Sequence, residues 1–388
     1  MKLRYTYIVC NALDETTRKD RSISTDSPAA SRKVFGLASA LRTKGDRAVV
    51  LSLGRGRADG SLRSHWFAVK KNRRAIVVYL PFVRIPFFSE LCSALCLAWL
   101  MMRVPKGQPT AVIYYNRHPL YLLGLIAATV RRFRNFLDLE DGEVGKDGRL
   151  TRLSAPMRYI FDYFCASGAF VATSHLTRFT TIRPTMCYYG IATGGSEVER
   201  WARPQVSVLL GGSLTTDTGA EAFVSAVENI RKEAPKWAKQ IRFEVTGYGE
   251  CLCKLEALAR AHEDPLCFVH GRVSADEYNN ILARCDVGLA LKCSAGPLAH
   301  STFPSKVVEL ASSGLLVVTT DISDVKFVLE DGALYLRDAA PPELVERLQW
   351  IANNRDEARF IAQRGARIIA EKCSHSTAGR SVRDFLFR

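Results

Sequence analysis

Acid is scarce in the first half of this chain. Residues 1–203 hold 15 Asp and Glu against 32 Lys and Arg, an excess of 17 positive charges, whereas residues 204–388 hold 24 against 22 and are close to neutral. A field of one sign bears on solubility and association rather than on fold. It leaves open a solubilising surface, an anionic membrane surface, a phosphorylated acceptor or nucleic acid. The last finds no support, because the basic half has no recognisable nucleic-acid module and no aromatics interleaved with its charges.

Other absences narrow the class further. No segment is of low complexity, and 15 Pro and 26 Gly are scattered along 388 residues, which excludes disorder and repeat arrays. Eleven cysteines, odd in number and irregularly spaced, make no disulfide framework. No secretory pattern opens the chain, where Lys2 and Arg4 lead straight into an apolar run, so a reducing cytoplasm is expected. Cys251 and Cys253 lack a second pair at zinc spacing, Cys92 and Cys96 read as small helix-core residues, and no metal site is expected. Gly54-Arg55-Gly56 with Gly60 has its third glycine one residue late and no helix after it, which removes a dinucleotide fingerprint. Only one long apolar run occurs, at 85–104, about one bilayer in length. Pro86 and Ser89 start it like a capped helix and Glu90 lies inside it, so it reads as a helix buried in the first domain or lying partly on a membrane, not as a spanning one.

What is present is alternation. Strand-like runs at 5–10, 48–53, 75–80, 111–115, 135–139 and 169–173 are separated by helical patterns at 29–44, 87–103, 119–130 and 157–165. A second series of runs lies at 206–210, 241–245, 266–269, 287–291 and 315–319, with helical patterns at 219–233, 251–262, 275–285 and 305–313. Two such series predict two parallel sheets built from βαβ units. The length also suits two domains. Pro204, beside the change in charge, predicts the boundary: domains at 1–203 and 204–370, with 371–388 packing back on the first. Ligands of open parallel sheets bind beyond the carboxyl ends of the strands, across a cleft when two domains face each other.

The loops at those ends carry the chemistry. Gly211-Gly212-Ser213-Leu214 precedes a helix, and glycines there let backbone N–H groups approach a phosphate, though a plain tight turn explains them as well. Gly247-Tyr248-Gly249 and Gly271-Arg272-Val273-Ser274 follow the next two strands, with Ser274 and Glu277 spaced as a capping box. Phe303-Pro304-Ser305-Lys306 would open a helix whose free N–H groups and the Lys306 ammonium point at one anion, with Ser301, Thr302 and Lys292 beside them. Glu309, one turn on from Lys306, could accept hydrogen bonds from vicinal hydroxyls. A surface Lys–Glu pair of little energetic value is the alternative.

In this order the second-half motifs resemble the donor domain of the retaining family 4, or group 1, glycosyltransferases. The resemblance implies a GT-B fold, two Rossmann-like domains facing across a cleft. It implies transfer of a sugar from a nucleotide-diphosphate donor to an acceptor saccharide, possible lipid linkage included, in polysaccharide or glycoconjugate synthesis, with no resident cofactor and no metal. Glu309 would hold the donor ribose, Lys306 the diphosphate, and the segment from Gly271 to Val273 would lie near the base. The chain departs from the family pattern at Ser301, Ser213 and Thr218, where a Glu, an Arg and a Lys are usual. A nucleotide-binding scaffold without turnover is therefore one alternative, and a nucleotide-sugar epimerase of the same fold is another. In the first half the likeness is looser: His118 is the candidate for contact with the donor sugar, and Asn116, Asp138, Glu140, Asp141 and Glu143 for the acceptor side. The glycine loop that family members carry after the first strand is replaced by a polar stretch, 11–27.

Overall fold

The computed structural model of the chain describes residues 3–23, 26–55, 63–71, 75–83, 85–140, 154–192, 199–260, 266–294 and 299–388. They form two compact units, Met1–Ile191 with His375–Arg388, and Ala192–Ser374. The boundary falls at 191/192, earlier than Pro204 predicts, because the segment before that proline is fastened to the second unit. The Arg200 guanidinium donates to the carbonyls of Leu282 and Ser313, the Trp201 amide donates to Asp286 Oδ1 at 2.7 Å, and the Arg355 guanidinium donates to Pro204 O at 2.6 Å.

The first unit holds one eight-stranded sheet. Its strands are β1 (Arg4–Cys10), β2 (Asp46–Ser52), β3 (Ala68–Lys71), β4 (Ile76–Tyr79), β5 (Thr110–Tyr115), β6 (Arg134–Leu139), β7 (Gly168–Val171) and β8 (Thr185–Cys187), in the order β3-β4-β2-β1-β5-β6-β7-β8. All neighbours run parallel except the edge pair β3 and β4. The helices are α1 (Glu15–Asp20), α2 (Pro28–Leu41), α3 (Pro86–Arg103), α4 (Leu122–Val130) and α5 (Ser154–Phe164). Ile8, Val50, Ile113, Phe136 and Phe170 look to one face, where Leu37 and Leu41 of α2 cover them. Tyr114 looks to the other and meets Tyr121 and Phe161. Both faces are thus apolar, which is why the strands read as continuous hydrophobic runs. β3 and β8 have no such run; each is short, lies at an edge, and is half exposed.

The polar stretch 11–27 has a definite task in this unit. Arg21 at the end of α1 is buried, and its guanidinium donates to the carbonyls of Gly54 (3.1 Å) and Leu80 (3.0 Å), the residues just past β2 and β4. A charged side chain thus satisfies backbone acceptors where the ladder has ended.

The second unit holds β9 (Val206–Ser213), β10 (Ile241–Tyr248), β11 (Cys267–Gly271), β12 (Val287–Ala290), β13 (Leu316–Thr320) and β14 (Ala333–Leu336), all parallel, in the order β11-β10-β9-β12-β13-β14. Its helices are α6 (Ala220–Glu233), α7 (Leu252–Arg260), α8 (Ala275–Ala283), α9 (Lys306–Ser312), α10 (Val325–Leu329), α11 (Pro341–Asn353) and α12 (Arg355–Cys373). Val208 and Leu210 of β9 and Phe243 and Val245 of β10 pack under Phe223 and Val227 of α6, with the rings of Phe223 and Phe243 edge to face at 5.1 Å. The last helix, α13 (His375–Phe387), belongs to the first unit. Phe385 lies 5.7 Å from the Phe136 ring and 5.0 Å from the Phe170 ring, and Arg383 donates to Ala40 O of α2.

On the sheet face opposite α6, Glu244 of β10 is fully buried yet charged. Its carboxylate is 2.5 Å from His270 Nε2 and 2.8 Å from Arg284, and the other oxygen is 2.6 Å from Arg242. Burial by itself would raise its pKa; the hydrogen bonds from Arg284 and His270 and the charges of Arg284 and Arg242 win, and hold it below the usual carboxylate range. Glu244→Ala would leave three basic groups facing one another and cost about 3 kcal/mol, the lower end for a broken buried pair because the partners reach solvent. In calorimetry the transition of this unit is expected to fall by roughly 6 to 12 °C. Since the folded-state pKa is lowered, that stabilisation is complete above the unfolded value of 4.5 and is lost as pH falls through the lower folded value. The gap between wild type and variant must therefore shrink in acid; a gap unchanged at low pH would assign the loss to packing.

Candidate functional site

The glycines expected in loops lie inside strands. β9 continues through Gly211, Gly212 and Ser213, which pair with Thr246, Gly247 and Tyr248 of β10. The apolar run ends at Leu210, but the ladder does not, and this extension is what glycine permits. A Cβ on Gly247 would stand 1.8 Å from Gly212 O, and one on Gly212, whose φ is 108°, would stand 2.6 Å from Lys306 Cε. The bare end of β9 is therefore the surface on which the Lys306 side chain lies.

Three elements meet there. The Lys306 ammonium, first residue of α9, donates to the Tyr278 hydroxyl of α8 at 3.3 Å, lies 5.4 Å from the centre of the same ring, and is 3.7 Å from Glu309 Oε2. Lys306 and Glu309 do share a face, and both side chains keep about a fifth of their surface accessible, at 24% and 19%. The sequence reading missed Tyr278. Its signal was the spacing of Tyr278, Ile281, Leu282 and Cys285, an inward helix face that ends at the site.

The helix start departs from expectation. The amides of Val307 and Val308 donate to Pro304 O (2.9 Å) and Ser305 O (3.2 Å), so the first turn closes on itself instead of offering those donors to an anion. Ser305 has helical backbone angles, makes no side-chain cap, and α9 begins at Lys306. Ser301 is buried and Thr302, Phe303 and Pro304 are half-buried in the approach to α9. The Lys292 ammonium donates to the Thr302 hydroxyl, and burial pulls its pKa down against the charge of Asp217. Ser213 ends β9, and its carbonyl accepts from Thr218 Oγ1 at 2.7 Å, a turn closed by neutral groups. Gly271, with φ 64°, ends β11 opposite Thr246; Arg272 then covers the Tyr248 ring at 4.9 Å, Val273 is half-buried, and Ser274 and Glu277 form the capping box that their spacing predicts. The second-unit candidates are thus gathered at the carboxyl ends of β9, β10 and β11 and the start of α9.

The first-unit candidates form a different arrangement. His118 caps a short turn, its Nδ1 accepting from the Leu120 amide at 3.2 Å and its ring 5.2 Å from that of Tyr121. Burial lowers its pKa, against Glu90 and with Arg55, which favours the neutral ring. Asn116, at φ 59°, joins two strand ends: its amide donates to Asp138 O and its Oδ1 accepts from the Glu140 amide, each at 2.8 Å. Asp138 and Glu140 both meet Lys33 of α2, whose ammonium is 3.2 Å from Asp138 and 4.7 Å from the centre of the Tyr188 ring. Burial raises the Asp138 pKa and lowers that of Lys33, each opposed by the other's charge. Lys33 was not foreseen, because its partners lie more than a hundred residues away. Asp141 and Glu143 lie outside the described residues. Among the described residues no group of three His, Cys, Asp or Glu is placed to hold a metal ion.

Comparison with known proteins bears on one domain and on the fold. Residues 205–354 match the family model described as Glycosyl transferases group 1. No curated relative matches the sequence. Among solved structures the chain is similar to TarM, at TM-score 0.71 and 8% identity over 100% of this chain and 99% of that one. It is also similar to HepE of Anabaena in complex with UDP and glucose, at 0.69 and 14% over 99% of both. A third likeness is to the sucrose-phosphate synthase of Thermosynechococcus elongatus, at 0.68 and 12% over 98% of both. At these identities the likeness speaks for the fold. Residues 205–354 form a group 1 glycosyltransferase domain, carried on a chain with the GT-B fold.

Proposed function

We propose that the protein transfers a sugar from a nucleoside diphosphate sugar to an acceptor hydroxyl, and that Lys306 and Glu309 anchor the donor. The observation that carries this reading is the Lys306 side chain laid over the glycine end of β9 with Glu309 and Tyr278 against it, inside the matched domain. As the glycosidic bond to the donor breaks, negative charge gathers on the departing diphosphate. An ammonium already in place stabilises that charge without reorganisation, which is the kind of electrostatic term that dominates in such sites. Lys292, two residues past β12 with its ammonium on Thr302 before α9, is the second cation proposed for the diphosphate. Glu309 accepts from the ribose hydroxyls. HepE, described in complex with UDP and glucose, makes a uridine diphosphate sugar the first donor to try.

The finer parts of the proposal are retention of anomeric configuration, operation without a metal, His118 near the donor sugar, and an acceptor saccharide carried on lipid. Asp138 and Glu140 would reach an acceptor hydroxyl only in competition with Lys33. A second reading is favoured by the neutral Ser213–Thr218 turn, which stands where the resembled family carries Arg and Lys: a domain that binds the nucleotide and turns over slowly or not at all.

Calorimetric titration with UDP and UDP-sugars tests binding. Glu309→Ala is expected to weaken the diphosphate sugar by roughly 1 to 3 kcal/mol, the cost of poorly paired hydroxyls, and unchanged affinity would remove Glu309 from the site. Lys306→Ala should cost UDP more than uridine by about 1.5 to 3 kcal/mol, since the lost partner is a charge; equal losses would reduce Lys306 to a packing role. For His118, the pair His118→Ala and His118→Asn separates its two tasks. Asn keeps an N-cap acceptor, so turnover lowered about tenfold in both variants with melting unchanged in the Asn variant supports a role at the sugar. Full turnover in the Asn variant leaves only the cap.

A further inference from the structure

α3 is apolar on both sides. Its inner face packs on α4, where Leu97 lies so near Gly124 that a Cβ there would stand 2.6 Å from it. Its outer face carries Phe88, Leu91, Leu95, Trp99 and Met102, spaced three or four residues apart and between 46% and 55% exposed. No charged residue stands between Glu90 and Arg103. A helix at a water-facing surface presents polar groups outward, and one that is hydrophobic all round is covered on every side. The apolar surface continues beside α3. Phe67, leading into β3, has its ring 6.2 Å from that of Trp99, Trp66 is 76% exposed, and Val130 at the end of α4 is 67% exposed.

We propose that this face of the first unit rests on an anionic lipid bilayer, with α3 lying in the plane of the headgroups. Exposed cations accompany the stripe: Lys71 on β3, Arg103 and Lys106 at the end of α3, and Arg132 after α4. Arg103 lies 5.2 Å over the Trp99 ring, which pairs an amphipathic aromatic with a cation at the depth where both are favoured. Apolar side chains with a basic rim suit a helix lying in the membrane interface, and the excess of 17 positive charges in residues 1–203 attracts the whole face to anionic lipid. Among the described residues no helix is long and apolar enough to cross a membrane, so attachment of this kind is peripheral. The same charge excess disfavours a second copy as the cover, because like fields repel. The inference goes beyond the transfer reaction, and binding to lipid is measured with no donor present, so either can fail alone.

The test is co-sedimentation of the full chain with vesicles of phosphatidylcholine alone or mixed with phosphatidylglycerol, at low and high salt. About tenfold more protein is expected on the anionic vesicles at low salt, falling at high salt as the attraction is screened. Leu95→Gln with Trp99→Gln, at exposed positions, and Arg103→Gln with Arg132→Gln should each lower the bound fraction at least severalfold with melting unchanged. In the wild type, brominated lipid should quench tryptophan emission, because Trp66 and Trp99 lie in the stripe. Equal binding to neutral and anionic vesicles at low salt overturns the proposal. So does an apolar variant that binds as well as wild type, which reduces the contact to adsorption of charge. A lipid-free dimer that the apolar variant converts to monomer also overturns it, and assigns the face to a second copy.

Discussion

A long side chain can lie flat across the end of a β-strand only where that strand has no Cβ to lift it. Gly211 and Gly212 supply that surface, Gly247 lets β10 run alongside without meeting the Gly212 carbonyl, and Lys306 fills the space. Tyr278 and Glu309 both meet that lysine. The lysine in turn is held where the sheet ends, and the donor reading depends on that placement. The constraint is steric before it is electrostatic: a methyl group in the wrong place would displace the charge.

Charge is handled differently in the interior of the two units. Arg21 ends its search for partners on backbone carbonyls past two strand ends, and Lys33 on two carboxylates and an aromatic ring. Glu244 gathers three basic groups on one strand face. Each is a desolvated ion matched in place, which fixes register and helix position because a half-matched ion would be costly. In the outer face of α3 the opposite holds: apolar groups stand where water would be, with cations only at their rim.

Much of this was legible in the residues. Strands buried on both sides announce themselves as apolar runs, and nearly all of β1, β5, β6, β9 and β13 were read to within a residue or so at their starts. The helix opening at Lys306 and the face it shares with Glu309 were legible too. What was not legible follows from distance and from glycine. The ends of β9 and β10 look like loops because glycine carries no hydropathy signal, although the ladder continues through it. Lys33 acts on partners that no local pattern connects to it, and the spacing that turns Tyr278 inward does not say that it meets Lys306. β3, β8 and β14 are short and carry little alternation, and the boundary near Pro204 was misjudged because Arg200 and Trp201 are held by groups far along the chain.

One feature of the connectivity bears on how the protein comes into being. Because α13 completes the first unit while residues Ala192–Ser374 form the second, the second unit is an insertion within the first. On a ribosome adding about 5 to 20 residues per second, the first unit waits on the order of ten seconds or more for the roughly 180 residues between its parts. Through that interval Phe136, Phe170 and the carbonyl of Ala40 lack the cover of Phe385 and Arg383. The inserted unit is itself complete only at Ser374, directly before α13, so the first unit closes no earlier than the unit it encloses.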